Sequence, residues 1–367
     1  MTTKKRIAVL GAGQIGVIIA GMLAEPGHQV TLADASAAQL KNAAGSRFAT
    51  ETVDASNLDA LRVFLKDRDI VVSACPYFLN KGIAKVAAET KTHYFDLTED
   101  VATTSYIKEL GETSDVALVP QCGLAPGFIC ILGADMAARF ETVSTIKMRV
   151  GALPLYPTNA LRYNVTWSVD GLINEYCNPC EIVFDGKPTL VPALEGIEGV
   201  MIDGVAYEAF NTSGGLGSMC ETYAGRVRHL DYRSIRYPGH AAIMKALLHD
   251  LRLRERRDVL KDILERAVPA TAQDVVVIFV TVSGLKDGRL VQETYANKIY
   301  AREVGGRVVS AIQATTAAGV ATALDLLAQG KLPQSGLVRQ EDIPLNLFLA
   351  NRFGQVYARD AERMAAA

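Results

Sequence analysis

The chain has 367 residues, 49% hydrophobic and 21% charged, with a formal net charge of −2 from 38 basic and 40 acidic side chains. That length accommodates two domains, each able to bury a core, and the composition excludes long disorder. The charge balance removes the electrostatic footprint of a nucleic-acid binder; the basic cluster Arg252, Arg254, Arg256, Arg257 is interleaved with acids and reads as a solvated helix face.

Taken in chain order, Arg6–Leu10 is a short apolar run ending in glycine, a buried parallel strand. Residues Gln14 to Glu25 carry apolar side chains at helical spacing and stop at Pro26-Gly27. Strands follow at His28–Ala33, Ala49–Val53, Asp69–Ala74, His93–Leu97 and Val116–Pro120. Helices fall between them at Ser36–Ala44, Asn57–Lys66, Asn80–Thr90 and Ala102–Gly111. This alternation predicts an α/β fold whose N-terminal part is a Rossmann-type doubly wound parallel sheet, with right-handed crossovers.

The pattern changes after Pro126-Gly127. A helix at Phe128–Phe140 leads into a strand at Ser144–Val150, and strands dominate from there. Val275–Ser283 is β-rich, Leu285-Lys-Asp-Gly288 is a hairpin turn, and Leu290–Val304 is the return strand. Met244–Ala267 reads as the longest helical stretch, and Thr315–Ala328 as a further alanine-rich helix. A second α+β domain with a mixed or antiparallel sheet fits this order. The expected domains are 1–125 for the dinucleotide unit and 126–314 for the second.

The start of the chain, Met1 to Lys5, is short and polar, with no secretory apolar region. No apolar stretch reaches the ~18 residues of a membrane span, so a cytoplasmic protein is expected, without membrane or nucleic-acid partners. The cysteines Cys75, Cys122, Cys130, Cys177, Cys180 and Cys220 are expected as thiols. Cys177-Asn-Pro-Cys180 has CxxC form but lacks a second pair and a histidine at ligand spacing, so no metal is implied.

Gly11-Ala-Gly13-Gln14-Ile15-Gly16 matches GxGxxG between a strand and a helix, the context that gives the motif its meaning. The first glycine permits the tight turn, the second lets backbone approach a pyrophosphate, and the third allows close helix–strand packing. The helix N-terminus then faces the phosphates. Asp34 ends the second strand, where a carboxylate accepts ribose hydroxyls and repels a 2′-phosphate; this predicts NAD over NADP. Asp54 reads either as an adenine neighbour or as the N-cap of the next helix.

Several later segments together resemble the saccharopine dehydrogenase-like superfamily, and within it the L-lysine 6-dehydrogenases. They are Cys122-Gly-Leu-Ala-Pro-Gly127, Arg162-Tyr-Asn164, Trp167-Ser-Val-Asp-Gly171, Glu208-Ala-Phe-Asn-Thr-Ser-Gly-Gly215, Ile235-Arg-Tyr-Pro-Gly-His240 and the late stretch Val338–Pro344. The resemblance implies NAD-dependent oxidative deamination of an amino-acid side-chain amine: L-lysine to 2-aminoadipate 6-semialdehyde and ammonia. It also implies that the C-terminal segment, about 315–367, returns to the Rossmann domain. One departure stands out: such proteins often carry an acid just before the Gly-x-x-Pro-Gly turn, where this chain has Gln121 and Cys122.

Within that frame the amine needs a proton acceptor that titrates near working pH. His240 is the first candidate base, with a structural role as its alternative. Asp96, at the carboxyl edge of the fifth strand, is placed to pair with the amine or to cap the helix that follows. Arg236 is a candidate clamp for the substrate carboxylate, or a strand brace. Tyr163, Asn164, Thr212, Ser213 and Tyr77 are candidate substrate contacts, and the backbone of Cys122 and Gly123 a candidate neighbour of the nicotinamide. A homodimer or larger homo-oligomer is the base-rate expectation. A saccharopine dehydrogenase-type or carboxynorspermidine-type secondary-amine oxidoreductase is the rival reading. A non-catalytic NAD-binding regulatory protein is the rival from another class.

Overall fold

The computed structural model describes residues 4–43, 47–304 and 307–359. The expected end of the second helix at Ala44, and the last residues of the C-terminal segment, lie outside the described residues. Contacts divide the chain into two compact units: 1–131 with 304–307 and 313–367, and 132–303 with 308–312. The chain leaves the first unit later than its GxxPG turn alone suggests, within the helix Phe128–Ala137 rather than in a loop.

The first unit opens with β1 (Arg6–Leu10), α1 (Gln14–Ala24), β2 (Gln29–Asp34), α2 (Ala37–Asn42), β3 (Ala49–Thr52) and α3 (Leu58–Leu65). It continues with β4 (Ile70–Ser73), α4 (Tyr77–Glu89), β5 (His93–Asp96), α5 (Val101–Gly111), β6 (Ala117–Val119) and α6 (Phe128–Ala137). Chain order and burial explain the sheet. Strands such as β4, Ile-Val-Val-Ser, are buried at every position, as a strand covered on both faces must be. Three of the helices, α2, α3 and α5, start on polar caps: Ser36 accepts from Gln39 N, Asn57 from Asp59 N and Ala60 N, and Asp100 from Thr103 N.

The second unit runs β7 (Thr142–Pro154), α7 (Val169–Cys177), β8 (Cys180–Phe184), β9 (Lys187–Val191), β10 (Glu198–Ile202), β11 (Val205–Asn211), α8 (Met219–Tyr223) and β12 (His229–Arg236). Then come α9 (His240–Lys245), α10 (Arg257–Ala267), β13 (Asp274–Lys286) and β14 (Arg289–Tyr300). Two three-residue strands follow, β15 (Arg302–Val304) and β16 (Arg307–Val309), before α11 (Ala311–Ala328), β17 (Gly336–Leu337) and α12 (Leu345–Ala350).

The first unit's sheet has the order β17-β6-β5-β4-β1-β2-β3, and every described pairing in it is parallel. The late strand β17 adds its far edge, pairing Gly336 with Ala117 and Leu337 with Leu118. Asp325, on α11, is 1% exposed and accepts from Asn351 Nδ2 at 2.7 Å and Arg352 Nη2 at 2.7 Å, which ties the C-terminal turn to the helix. Phe128 stacks on Tyr357 with centroids 4.0 Å apart, and the Tyr357 hydroxyl donates to Thr315 O at 2.7 Å. The eighteen-residue α11 corrects the reading that no apolar stretch reaches spanning length: it qualifies by length and composition, but 78% of it is buried inside the protein.

The second unit's sheet is mixed. Its path is β10-β11-β12-β7-β13-β14, with β8 and β9 branching from β12; β12 and β7 pair in parallel and the others antiparallel. The β13–β14 hairpin turns on Asp287 (φ 50°) and Gly288 (φ 68°), both left-handed, as a two-residue turn requires. Against the sheet lies a cluster from α7, α9, α10 and the turn after α9, including Leu172, Ile173, Met244, Leu248, Leu260 and Leu264. The long helix expected over Met244–Ala267 is broken. After α9 the chain makes a π-turn at Ala246–Asp250, with Leu251 N donating to Ala246 O, and Arg252 then takes φ 56° before α10 begins.

Candidate active site

The glycine loop is built as its spacing predicts. Gly11 has φ 99°, and a Cβ there would lie 2.7 Å from Ala74 O; a Cβ on Gly16 would lie 1.8 Å from Gly11 O. At Gly13 a Cβ would meet nothing within 4 Å, so the backbone fronts open space where a pyrophosphate can approach. Gly13 is the N-cap of α1, makes no side-chain cap bond, and the first turn holds no acidic residue. The N–H groups of that helix end are left to an anion. Gln14 is exposed, its Oε1 accepting from Gln313 Nε2 at 2.7 Å, and Ile15 is partly buried.

Asp34 is fixed by two backbone donors: Ala12 N to Oδ2 at 2.7 Å and Ser36 N to Oδ1 at 2.7 Å. A carboxylate has about four acceptor sites, so this one remains able to take ribose hydroxyls. Asp54 is exposed and bonds Ser56 through both its N–H and its hydroxyl, which hold its carboxyl below the usual range. It is not the cap of α3; Asn57 is.

The other expected edge residues are occupied differently. Asp96 is fully buried. Its Oδ1 accepts from Thr98 N at 3.0 Å and Gln121 N at 2.8 Å, and its Oδ2 from the Tyr94 hydroxyl at 2.7 Å. Burial pushes its carboxyl up to about 6 against the pull of these three donors. It therefore clamps β5 to the turn after β6, and the role of substrate partner expected of it is not what this geometry supports. Cys122 is also buried, its thiol donating to Val119 O at 3.0 Å and accepting from Gln340 Nε2 at 3.2 Å. A Cβ on Gly319 of α11 would lie 2.6 Å from Cys122 O and 2.7 Å from Gly123 O. The backbone expected to border a nicotinamide is thus covered at these two carbonyls by a helix. Gln340, in the late family-like stretch, also donates to Pro120 O, which explains why that stretch belongs with the turn. Tyr77 begins α4 and is partly exposed, with its ring beside Phe78.

In the second unit Arg236, Tyr163, Tyr176, Phe210 and His240 come together. Leu161 O can only accept, so the His240 Nδ1–H donates to it at 2.9 Å. His240 Nε2 then accepts from the Tyr176 hydroxyl at 3.0 Å, and that oxygen accepts from Arg236 Nε at 2.9 Å. Each donor in this buried chain meets an acceptor. Burial, and next the Arg236 charge, lower the imidazole to about 3, so His240 is neutral and already engaged at both nitrogens. This corrects its expected role as the base. Its partners Tyr176 and Leu161 lie 64 and 79 positions away, beyond the reach of local motif reading.

Arg236 is 3% exposed. Burial works against its charge, but Tyr176, Tyr163 and Glu175 more than offset that and keep it protonated. Its guanidinium carbon lies 5.5 Å from the Tyr163 ring centroid and 5.9 Å from that of Tyr176. The carboxylate that acts on it is Glu175, the residue before Tyr176. Asn164 donates from Nδ2 to Pro269 O at 3.1 Å, while its buried Oδ1 has no partner among the described residues. Thr212 and Ser213 are occupied internally: the Thr212 hydroxyl bonds Ser234 at 2.8 Å, and Ser213 N donates to Glu175 O. Sequence reasoning missed Glu208, whose carboxylate accepts from Gly239 N and Ala241 N and so holds the Pro-Gly-His turn.

The open glycine loop, the unguarded helix end and the Asp34 carboxylate define a dinucleotide-binding protein of Rossmann type. A family model described as "Saccharopine dehydrogenase NADP binding domain" matches residues 7–120, and one described as "Saccharopine dehydrogenase C-terminal domain" matches residues 123–352. The chain belongs to the saccharopine dehydrogenase family. Rattus norvegicus alpha-aminoadipic semialdehyde synthase, mitochondrial, is 26% identical over 204 residues, 51% of this chain and 21% of the relative. Saccharomyces cerevisiae saccharopine dehydrogenase [NADP(+), L-glutamate-forming] is 27% identical over 206 residues, 50% of this chain and 43% of the relative. The chain therefore spans less than half the length of these relatives. Apo saccharopine dehydrogenase (L-Glu forming) from Saccharomyces cerevisiae shares the fold, with a TM-score of 0.73 at 19% identity over 94% of this chain and 96% of that one.

Proposed function

We propose that this protein oxidises the side-chain amine of an amino acid with NAD, and that the amino acid is L-lysine, giving 2-aminoadipate 6-semialdehyde and ammonia. Arg236 carries the amino-acid part of this reading. A buried guanidinium between aromatic rings is suited to an anion of fixed geometry such as an α-carboxylate. The cofactor, when bound, supplies the hydride acceptor. The Gly11–Gly16 loop and the α1 N-terminus would hold its pyrophosphate, and Asp34 its ribose hydroxyls. The Asp34 carboxylate favours NAD because a 2′-phosphate beside it would be repelled.

Saccharopine oxidation is the second reading, favoured by the names of the matched relatives, which specify NADP(+) and L-glutamate formation. Saccharopine carries more than one carboxylate where the Arg236 cluster offers one guanidinium. The test is product analysis with NAD or NADP. Ammonia and semialdehyde from L-lysine support the proposal; L-glutamate from saccharopine, with lysine inert, moves the assignment to the second reading.

A further inference from the structure

Three carboxylates fall in five residues where β5 ends: Asp96, Glu99 and Asp100. Ligands of open parallel sheets bind at this carboxyl edge. Asp34 marks the adenosine end on the β2 side of β1, which leaves the β4–β5–β6 side for the reactive end of a dinucleotide. Two of the three carboxylates are occupied. Asp96 takes three donors, and Asp100 caps α5 by accepting from Thr103 N at 2.7 Å. The Glu99 side chain is partly buried and makes no hydrogen bond or ion pair with another side chain among the described residues.

We infer that Glu99 receives the substrate ammonium and accepts its proton, an assignment that rests on the amine-oxidising reading above. A carboxyl in this position is suited to a cationic partner from outside the chain. Burial raises it to about 7; its own backbone N–H opposes this, and Asp100 from the start of α5 and Asp96 from β5 add to the rise. The β6 turn packed beside Asp96 presents Gln121 and the buried Cys122 thiol, and neither brings a positive charge. The step balances simply. The ammonium loses one N–H proton to the carboxylate, giving a neutral amine and a carboxylic acid. The nitrogen lone pair then forms the C=N bond as hydride leaves the adjacent carbon, and water later replaces ammonia.

The test compares wild type, Glu99→Gln and Glu99→Asp by amine oxidation across pH, nucleotide binding and infrared difference spectroscopy. Wild-type kcat/KM should rise with pH through about 7 as Glu99 ionises. Glu99→Gln should lose that limb and about 10²–10⁴-fold in rate, with nucleotide affinity unchanged, and Glu99→Asp should restore part of the rate. Without any substrate, the protonated-carboxyl band absent from Glu99→Gln should titrate near neutrality. A Glu99→Gln enzyme with the wild-type rate and limb, or a Glu99 band titrating in the ordinary carboxylate range, overturns the role of Glu99 and leaves amine oxidation standing. Wild-type protein that binds nucleotide but oxidises neither lysine nor saccharopine overturns the underlying reading, and this assignment with it.

Discussion

The glycine loop of the first unit and the Arg236 cluster of the second treat polar groups in opposite ways. Around Gly13 the backbone faces open space and the helix end has no cap. Around Arg236 the groups are buried and bond one another, through Tyr176 and His240 to Leu161 O. The first arrangement waits for a ligand along its whole length. The second leaves few atoms over, Asn164 Oδ1 among them. A residue's type and its motif therefore do not reveal whether it is open to a ligand; its hydrogen-bond partners do. The same contrast separates Asp34 from Asp96 within one sheet. Both end a parallel strand, but Asp34 is partly exposed with two donors, while Asp96 is buried with three.

The largest effect is expected of Arg236→Gln. Losing one partner of a buried charge pair costs about 2–5 kcal/mol, so KM for lysine should rise by about 10²-fold or more while NADH binding is retained. Equal KM values would remove Arg236 from substrate recognition.

Asp96→Asn should show a stability effect in place of a substrate effect. The folded-state carboxyl of Asp96, about 6, lies above its ordinary 3.8. The folded protein thus binds this proton more tightly than the unfolded chain. The contribution is fully present below about 4 and is lost as pH rises through 6, a swing of about 3 kcal/mol. Urea unfolding should therefore show wild type gaining on Asp96→Asn as pH falls from 7 to 4. A constant gap would mean the site is not desolvated as described.

Asp34→Ser should weaken NAD and relieve the repulsion of NADP. Hydrogen bonds to a charged group are worth about 1.5–3 kcal/mol, so the preference should shift by about 10–100-fold, read as the ratio of kcat/KM for the two nucleotides. The smallest effect belongs to His240→Asn, which should leave the acid limb of the pH profile in place because His240 is already neutral there. Loss of that limb would return the imidazole to the proton path.

Much of the first unit was legible because its signals are local: the glycine spacing, Asp34 at a strand end, and strands alternating with capped helices. The Asp287-Gly288 hairpin was legible for the same reason. The break in the helix after Lys245 was not, since a π-turn leaves the apolar spacing nearly intact. His240 was misjudged because its partners come from distant segments, whereas Asp96 takes two donors from Tyr94 and Thr98 beside it and only Gln121 from afar. Glu99 was overlooked because a loop acid ahead of a helix looks like an ordinary cap, and only the occupied state of its neighbours sets it apart.

The most direct measurement is kcat/KM for NAD against NADP in the oxidation of L-lysine by the wild-type protein. Turnover with lysine and a clear preference for NAD are the expected result. Turnover confined to saccharopine with NADP would contradict it, leaving the fold and the family in place but removing both Asp34 as the nucleotide selector and Arg236 as the clamp for a single carboxylate.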